Sequence, residues 1–422
     1  MQRLVIDWGK QMAADYQAIV IGGGIVGCSV LYALAERGWT NTLLLEKNEL
    51  TSGSTWHAAG NCTHFGHDAE MTRLYVETLK VYERAEKESG QSIGFHKTGS
   101  LRLATTKEEL AAYKKLEPVY ERLGVPYRVV TPEEIPEIHP LMSLDNVLGA
   151  AHTPEDGYVD PSGATLAMAA CARARGAQIK RHSAVGKIEQ LPDARWRVHS
   201  GDQSYTAEHI VIATSFWARE MVVQLGLDLP LYPLEHHEII TEDSAEVAQV
   251  GFELPTVRDP LIPANIRQER NGILLGIYES QPVAWSTNGI PPDFGQELLV
   301  PNLDRLMPHF KKAMTRMPVL AEAGIKVANN GPICYTPDGL PMLGTLPTHD
   351  NLWIAAGFSA GIGTGGGSGQ YLAAHMVDGQ APYNLPGVDP ARFAVSQPRA
   401  AIIEKILATY AAGYSVPDAE KV

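Results

Sequence analysis

The chain has 422 residues, with 35 lysines and arginines against 48 aspartates and glutamates, a formal net charge of -13. That length exceeds one ordinary core and predicts two domains. The acidic balance leaves no basic footprint for nucleic acid or an anionic membrane and points to a small-molecule enzyme.

Cys28, Cys62, Cys171 and Cys334 show no C-x-x-C spacing, so neither a disulfide framework nor a cysteine zinc site is expected. The opening residues "MQRLVIDWGKQMAADYQ" break their apolar run after Leu4, Val5 and Ile6, too early for a secretory core. No later segment is apolar for long enough to span a bilayer. The expectation is a soluble cytoplasmic protein with reduced, buried thiols and no membrane partner.

In chain order, "QAIVIGGGIVGCSVLYALAERGWTNTLLLEK" predicts a strand, a glycine turn, a helix stopped by Gly38, and a second strand ending at Glu46. A long amphipathic helix follows from about Asp68, with Met71, Leu74, Tyr75, Leu79 and Tyr82 on one face and Gly90 as its stop. "TKEE" (106–109) and "TPEE" (131–134) both carry a capping-box pattern. Asp160 caps a helix from Pro161 to Gly176, and "AQIKRHSAVGKIEQ", "RWRVHS" and "SYTAEHIVIAT" predict consecutive strands. From Leu229 to about Lys326 the chain is proline-rich, with strand-like "HHEIIT" and "GILLGIYES". "NLWIAAGFSAGIGTGGGSGQYLAAHMVDG" then predicts a strand, a glycine loop and a helix ended by Gly379.

Gly22-x-Gly24-x-x-Gly27 follows a strand and opens a helix, which permits a tight turn and lets a pyrophosphate approach the helix N-terminus. Glu46, about 20 residues on, is placed to accept ribose hydroxyls and would repel a 2'-phosphate. FAD and NAD both satisfy this fingerprint. The second run of amides, Gly361 to Gly367, suits a long two-ended ligand or a reduced ring, an element that two-domain flavoproteins need and NAD enzymes usually do not. Between the two, "TSGSTWHAAG" (51–60) surrounds Trp56 and His57 with small residues, as a backbone lying against a cofactor requires. At roughly 3.3 Å per residue the chain from Glu46 to His57 reaches amply from ribose to ring. Neighbouring His64 and His67 lack an acidic ligand set, so no metal site is expected.

"VIGGGIVGCSVLYALAERG", "LLEKNELTSGSTWHAAG", "FHKTGSLRLATT", "RQERNGILLGIYES", "GPICYTPDGLPMLG" and the final glycine run together resemble the dimethylglycine and sarcosine dehydrogenase group of the D-amino-acid-oxidase-like flavoproteins. The resemblance runs from about Tyr16 to Tyr383. It implies an α/β fold: a glutathione-reductase-like FAD-binding (Rossmann) domain with an antiparallel-sheet substrate domain. The FAD-binding domain is then expected from residues 16–95, 150–228 and 327–385, the substrate domain from 96–149 and 229–326, with 386–422 a C-terminal helix and tail. It also implies that His57 is joined covalently to the 8α carbon of the flavin. The cofactor-binding set expected is Gly22, Gly24, Ile25, Val26 and Gly27; Glu46 and Lys47; Gly53, Ser54, Thr55, Trp56, Ala58, Ala59, Gly60 and Asn61; Val185 and Trp217; and Gly361, Ile362, Gly363, Thr364, Gly365 and Gly366.

Adjacent strand residues point to opposite faces, so one of His236 and His237 at most faces the ring. By resemblance it is His236, with His237 left to solvent or an interface. Tyr278 of "GIYES" matches a family active-site tyrosine, although Ile277 stands where the family has proline. His236, with Tyr278, would favour the neutral amine, and Arg267 or Arg258 would hold a substrate carboxylate. The reaction implied is hydride transfer from an N-methyl carbon to flavin, then hydrolysis to formaldehyde and the demethylated amine. Dimethylglycine or sarcosine is the expected substrate type, and N-methylproline or methylaminobutyrate the alternative. A flavin-bearing subunit of a larger complex and an NAD-linked dehydrogenase without flavin are competing readings. Oxygen, an electron-transfer flavoprotein or a quinone relay would leave the same motifs. The family's long folate-binding C-terminal half has no counterpart in "QPRAAIIEKILATYAAGYSVPDAEKV", so free formaldehyde is expected unless a separate folate-binding partner docks.

Overall fold

A computed structural model describes residues 15–66, 69–394 and 397–413. Its first sheet is centred on Asp15–Ile21, which pairs in parallel with Thr42–Leu45 on one side and Gln203–Ile212 on the other. Gln178–Lys180 extends the sheet beyond Thr42–Leu45, and His349–Ala356 extends it beyond Gln203–Ile212. The central stretches 18–21, 43–45 and 210–212 are apolar throughout because both faces are covered. Ala18, Val20 and Leu44 pack with the Ile25–Glu36, Pro161–Ala174 and Gly361–Asp378 helices. Ile19, Ile21 and Leu43 pack on the other face with Trp196, Val198 and Phe216.

The second sheet has eight strands, in the order Ile325–Tyr335, Tyr232–Thr241, Gly272–Ile277, Ile262–Glu269, Thr256–Asp259, Ser100–Ala104, Gly149–Thr153 and Arg128–Val130. All its neighbours are antiparallel except Thr256–Asp259 with Ser100–Ala104. One face is a dry core in which Ile239, Leu275, Ile277 and Ile266 meet Leu306 and Phe310 of the Leu303–Arg316 helix. The other face is polar and looks onto the first sheet across a cavity. Gly149–Thr153 and Ile325–Tyr335, which the sequence reading places with or across the edge of the nucleotide half, both pair in this second sheet.

Local signals act at several starts. Thr106 and Glu109 form a reciprocal capping box, and Asp160 accepts from Ser162 N ahead of Pro161. At 131–134 the same pattern closes a turn, with Glu134 accepting from Thr131 N, and the four-residue helix begins only at Ile135. The Ala69–Ser89 helix carries the predicted apolar face, while Asp68 lies outside the described residues.

The run Gly361–Gly367 is not a loop. It forms the first turns of the Gly361–Asp378 helix, buried against Ala69–Ser89 and Ile25–Glu36. Glycine's poor helix propensity is overridden because the helices touch backbone to backbone. A Cβ on Gly367 would lie 2.2 Å from Leu74 O, and one on Gly369 2.2 Å from Ser29 Oγ. Bonds from Gly367 N to Thr78 Oγ1 at 2.8 Å and from Ser29 Oγ to Gly366 O at 3.1 Å close the contact.

Gly367→Ala should therefore lower stability by about 2 kcal/mol through overpacking, whereas Gly186→Ala, where nothing lies within 4 Å, should be nearly neutral. Denaturant midpoints of the two variants against the parent check this.

Candidate active site

The space between the sheets is a cavity of about 530 Å³, a size suited to a small-molecule or cofactor site. On its nucleotide side Gly22 has φ +111°, and a Cβ there would lie 2.4 Å from Ala213 O. A Cβ on Gly27 would lie 2.0 Å from Gly22 O, so this last glycine serves turn packing and does not line the cavity. Gly24 caps the following helix without a side-chain bond, and Ile25 N donates to Thr55 Oγ1 at 3.1 Å. Glu46 is buried at the strand end, with Oε2 accepting from Gly23 N at 2.7 Å and Oε1 from Asn48 N at 2.8 Å. Its carboxylate is thus held at the turn before any ligand arrives. Lys47 donates to Phe294 O at 2.6 Å and sits over the Trp217 ring, and both line the cavity with Val185.

Gly53, Ser54, Thr55, Ala58, Ala59, Gly60 and Asn61 also line it, as do Gly22, Gly24, Ile25, Val26, Glu46, Gly361, Ile362 and Gly363. Thr364, Gly365 and Gly366 do not, because that part of the helix faces its neighbours. Trp56 stands edge-on to His57 with ring centroids 5.6 Å apart, behind the lining.

His57 crosses to the second sheet. Its ring lies on Gly331, where a Cβ would come within 2.5 Å of Nδ1. Gly331 is opposite His236 in the strand pairing, and His236 sits 4.9 Å from Tyr278 between ring centroids. His57, His236 and Tyr278 therefore share one wall. Burial lowers His57 to about 4, leaving its imidazole uncharged at neutral pH. His236 is also lowered to about 4, first by burial and then by the charges of His237, His57 and Arg258.

Tyr410, from the Arg399–Ala411 helix, was not among the expected site residues. Its hydroxyl lies 2.8 Å from His236 Nδ1 and donates to Ile277 O at 3.2 Å. Nδ1 is thus held by Tyr410, and Nε2 is the ring nitrogen turned towards Gly276. The spacing of Ile402, Ile406 and Tyr410 signals this buried helical stripe, but not what it touches.

Two expected positions differ. Arg267 is buried with its guanidinium 4.1 Å from the Tyr158 ring centroid and paired to Glu269 at 2.8 Å, away from the cavity lining. Arg258 does line the cavity, and beside it in the strand register stands Arg102, which the sequence reading did not select. Arg102 lies 3.8 Å from the Phe65 ring centroid. His237 is not at solvent or an interface: it has no exposed surface and bonds Glu279 at 2.6 Å on the core side of the sheet. His64 bonds Asp156 at 2.7 Å, and no metal-binding cluster occurs among the described residues, which exclude His67.

The uncapped helix start, the glycine cradle and the fixed Glu46 carboxylate together fit a dinucleotide cofactor. Comparison with known proteins decides which kind. The profile described as "FAD dependent oxidoreductase" matches residues 17–375. The chain belongs to the FAD-dependent oxidoreductase family. It is 41% identical over 382 residues to mitochondrial dimethylglycine dehydrogenase of Rattus norvegicus, covering 89% of this chain and 45% of that protein. To the formaldehyde-forming 4-methylaminobutanoate oxidase of Paenarthrobacter nicotinovorans it is 33% identical, covering 90% of this chain and 46% of that protein. The chain thus spans about half the length of these curated relatives. The crystal structure of L-proline dehydrogenase from P. horikoshii superposes with a TM-score of 0.79 at 27% identity, covering 91% of this chain and 99% of that one. In this flavoprotein the Glu46 turn, the 51–61 loop and the Gly361–Gly363 helix start are the groups that would hold FAD. No described helix is long and apolar enough to cross a membrane.

Because His57 rests directly on Gly331, Gly331→Ala should push its ring off that wall. The variant is expected to purify with less FAD than the parent, read as the ratio of flavin to protein absorbance; an unchanged ratio and flavin spectrum would refute the contact.

Proposed function

We propose that the chain carries out oxidative N-demethylation of a small N-methylated amino acid, of the dimethylglycine or sarcosine type. The observation that carries this reading is the juxtaposition of two cavity guanidiniums, Arg102 and Arg258, with the uncharged His57–His236–Tyr278 wall. The guanidiniums suit a carboxylate. The uncharged imidazoles suit an amine that must present its lone pair. Bound FAD supplies the two-electron oxidation of the N-methyl carbon; water then adds to the iminium carbon, and the aminol divides into formaldehyde and the demethylated amine. The His236 ring borders the amine end and orients it by contact, with Tyr278 beside it. Similarity to a formaldehyde-forming oxidase and to a dimethylglycine dehydrogenase supports this class, and the former keeps a longer methylaminobutyrate-like substrate as the second reading.

We further infer that His57 is joined covalently to the flavin. Its support is an unprotonated, nucleophilic imidazole on a loop of small residues that lies along the cavity. FAD should stay with the polypeptide after acid precipitation, and His57→Ala should release it. Complete release from the parent would remove the covalent link and leave the demethylase reading standing.

Single-turnover assays with dimethylglycine and sarcosine should yield one formaldehyde per flavin reduced. Flavin reduction without formaldehyde would mean oxidation at another carbon. Arg258→Gln and Arg102→Gln should each raise KM by roughly 10- to 100-fold, the value of a charged hydrogen bond, with a smaller change in kcat. An unaltered KM would exclude them from carboxylate binding.

A further inference from the structure

The strand register places a row of polar residues straight across the cavity face of the second sheet. Arg102 is opposite Arg258, Arg258 opposite Asn265, Asn265 opposite Gly276, Gly276 opposite Glu238, and Glu238 opposite Asn329. Every side chain in the row lines the cavity. Gly276 interrupts it with a gap: a Cβ there would lie 3.6 Å from Asn265 Nδ2 and 3.8 Å from His236 Nε2. The gap thus has guanidiniums beyond Asn265 on one side, a carboxyl on the adjacent strand on the other, and His236 Nε2 above it.

We propose that Glu238 is the proton acceptor that converts the substrate's ammonium to the neutral amine, the nitrogen sitting over Gly276 with its carboxylate turned towards Arg258 and Arg102. The inference rests on the N-methylamino-acid reading above. In this step the N–H bond breaks, its electron pair stays on nitrogen, and the proton forms an O–H bond on Glu238. No oxidant takes part.

Register and basicity both choose Glu238 over His236: Glu238 stands directly opposite Gly276, whereas His236 is two residues away on the same strand. His236 is already a very weak base, lowered to about 4. Burial raises Glu238 to about 7, opposed by Arg267, reinforced by Glu269, and moderated by a hydrogen bond from Asn329. The other polar groups facing this part of the cavity are His236 on its own strand with Tyr278 beside it, Arg102, Arg258 and Asn265 across the row, His57 against Gly331, and Tyr75 from the opposite wall. Against an amine whose proton leaves near pH 10, an acceptor near 7 is about a thousandfold better matched than one near 4.

The test uses the FAD-loaded enzyme. Betaine, N,N,N-trimethylglycine, is a carboxylate with a fixed cation and no removable proton, and its binding is read from perturbation of the flavin absorbance. As pH rises from 6 to 8 Glu238 ionises, so parent affinity for betaine should increase by about tenfold, and Glu238→Gln should abolish that dependence. In anaerobic stopped-flow with dimethylglycine, the parent's reduction rate over Kd should show an acid limb near pH 7. Glu238→Gln should lose the limb and run about a hundredfold slower, rising with pH towards the amine's own pKa, while Glu238→Asp restores part of both. Three results would each overturn the proposal: no betaine perturbation in the parent, betaine affinity equal at pH 6 and pH 8, or a Glu238→Gln variant that keeps the limb. If the parent instead releases no formaldehyde from any N-methylamino acid, the fault lies with the demethylase reading, which the betaine titration does not use.

Discussion

His237 Nδ1 bonds Glu279 at 2.6 Å, and its Nε2 accepts from the backbone amide of Asn302 at 3.1 Å. Those two bonds fix which face of the Tyr232–Thr241 strand meets the cavity. Arg305 extends the anchor, reaching Glu279 and Glu235 at 2.6 Å each, and Asn330 bonds Glu235 at 3.1 Å. A one-residue slip would turn His236 and Glu238 into the apolar core and bring His237 to the cavity. Buried charges of this kind contribute little net stability but penalise alternative pairings, because a slipped register leaves them unpaired. The cavity's chemistry is therefore held from the side of the sheet that no ligand touches.

The nucleotide half depends on a comparable restriction in backbone distance. The Gly361–Asp378 helix can place its N-terminal amides at the cavity only because Gly366, Gly367 and Gly369 let it settle against Thr78, Leu74 and Ser29. At the other helix start, Gly22 and Gly27 pack against Ala213 and each other. The same element that orients partial positive charge towards an anionic cofactor is thus tied into the largest core. Cofactor geometry and core packing cannot be altered independently here.

Much of this was legible in the amino-acid order. The Gly22–Gly27 turn with Glu46, the capped helices at 107 and 161, and the small-residue loop around His57 are local patterns whose physics is complete within about ten to thirty residues. What was not legible depends on register between distant strands. Arg102 and Arg258 are neighbours only because Ser100–Ala104 pairs with Thr256–Asp259, and nothing in "SLRLATT" marks that arginine as facing a cavity. His237 resembles a surface residue in sequence because its partners lie 42 and 65 positions away. The glycine run was misread as a loop because propensity argues against a helix there, and only contact with a second helix explains it. Tyr410 sits on a readable apolar stripe, yet its bond to His236 spans 174 positions.

Opposite charges coexist in one enclosed space between the two sheets. Burial lowers the proton affinity of His236 most, and the charges of His237, His57 and Arg258 lower it further. A third positive charge on that wall would be costly at low dielectric, so the imidazoles remain neutral and act as acceptors. Glu238 feels a different balance: burial dominates and raises it, opposed by Arg267 and reinforced by Glu269, both two strands away. Arg267, although excluded from the lining, therefore still influences the cavity through the group beside it. A zwitterion entering between these regions meets cations at one end and a carboxyl at the other, and the glycine gap at Gly276 sets the space between them. Discrimination among amino acids with different separations between carboxylate and nitrogen would then follow from strand spacing, about 4.8 Å per step across the row, more than from the identity of any single side chain.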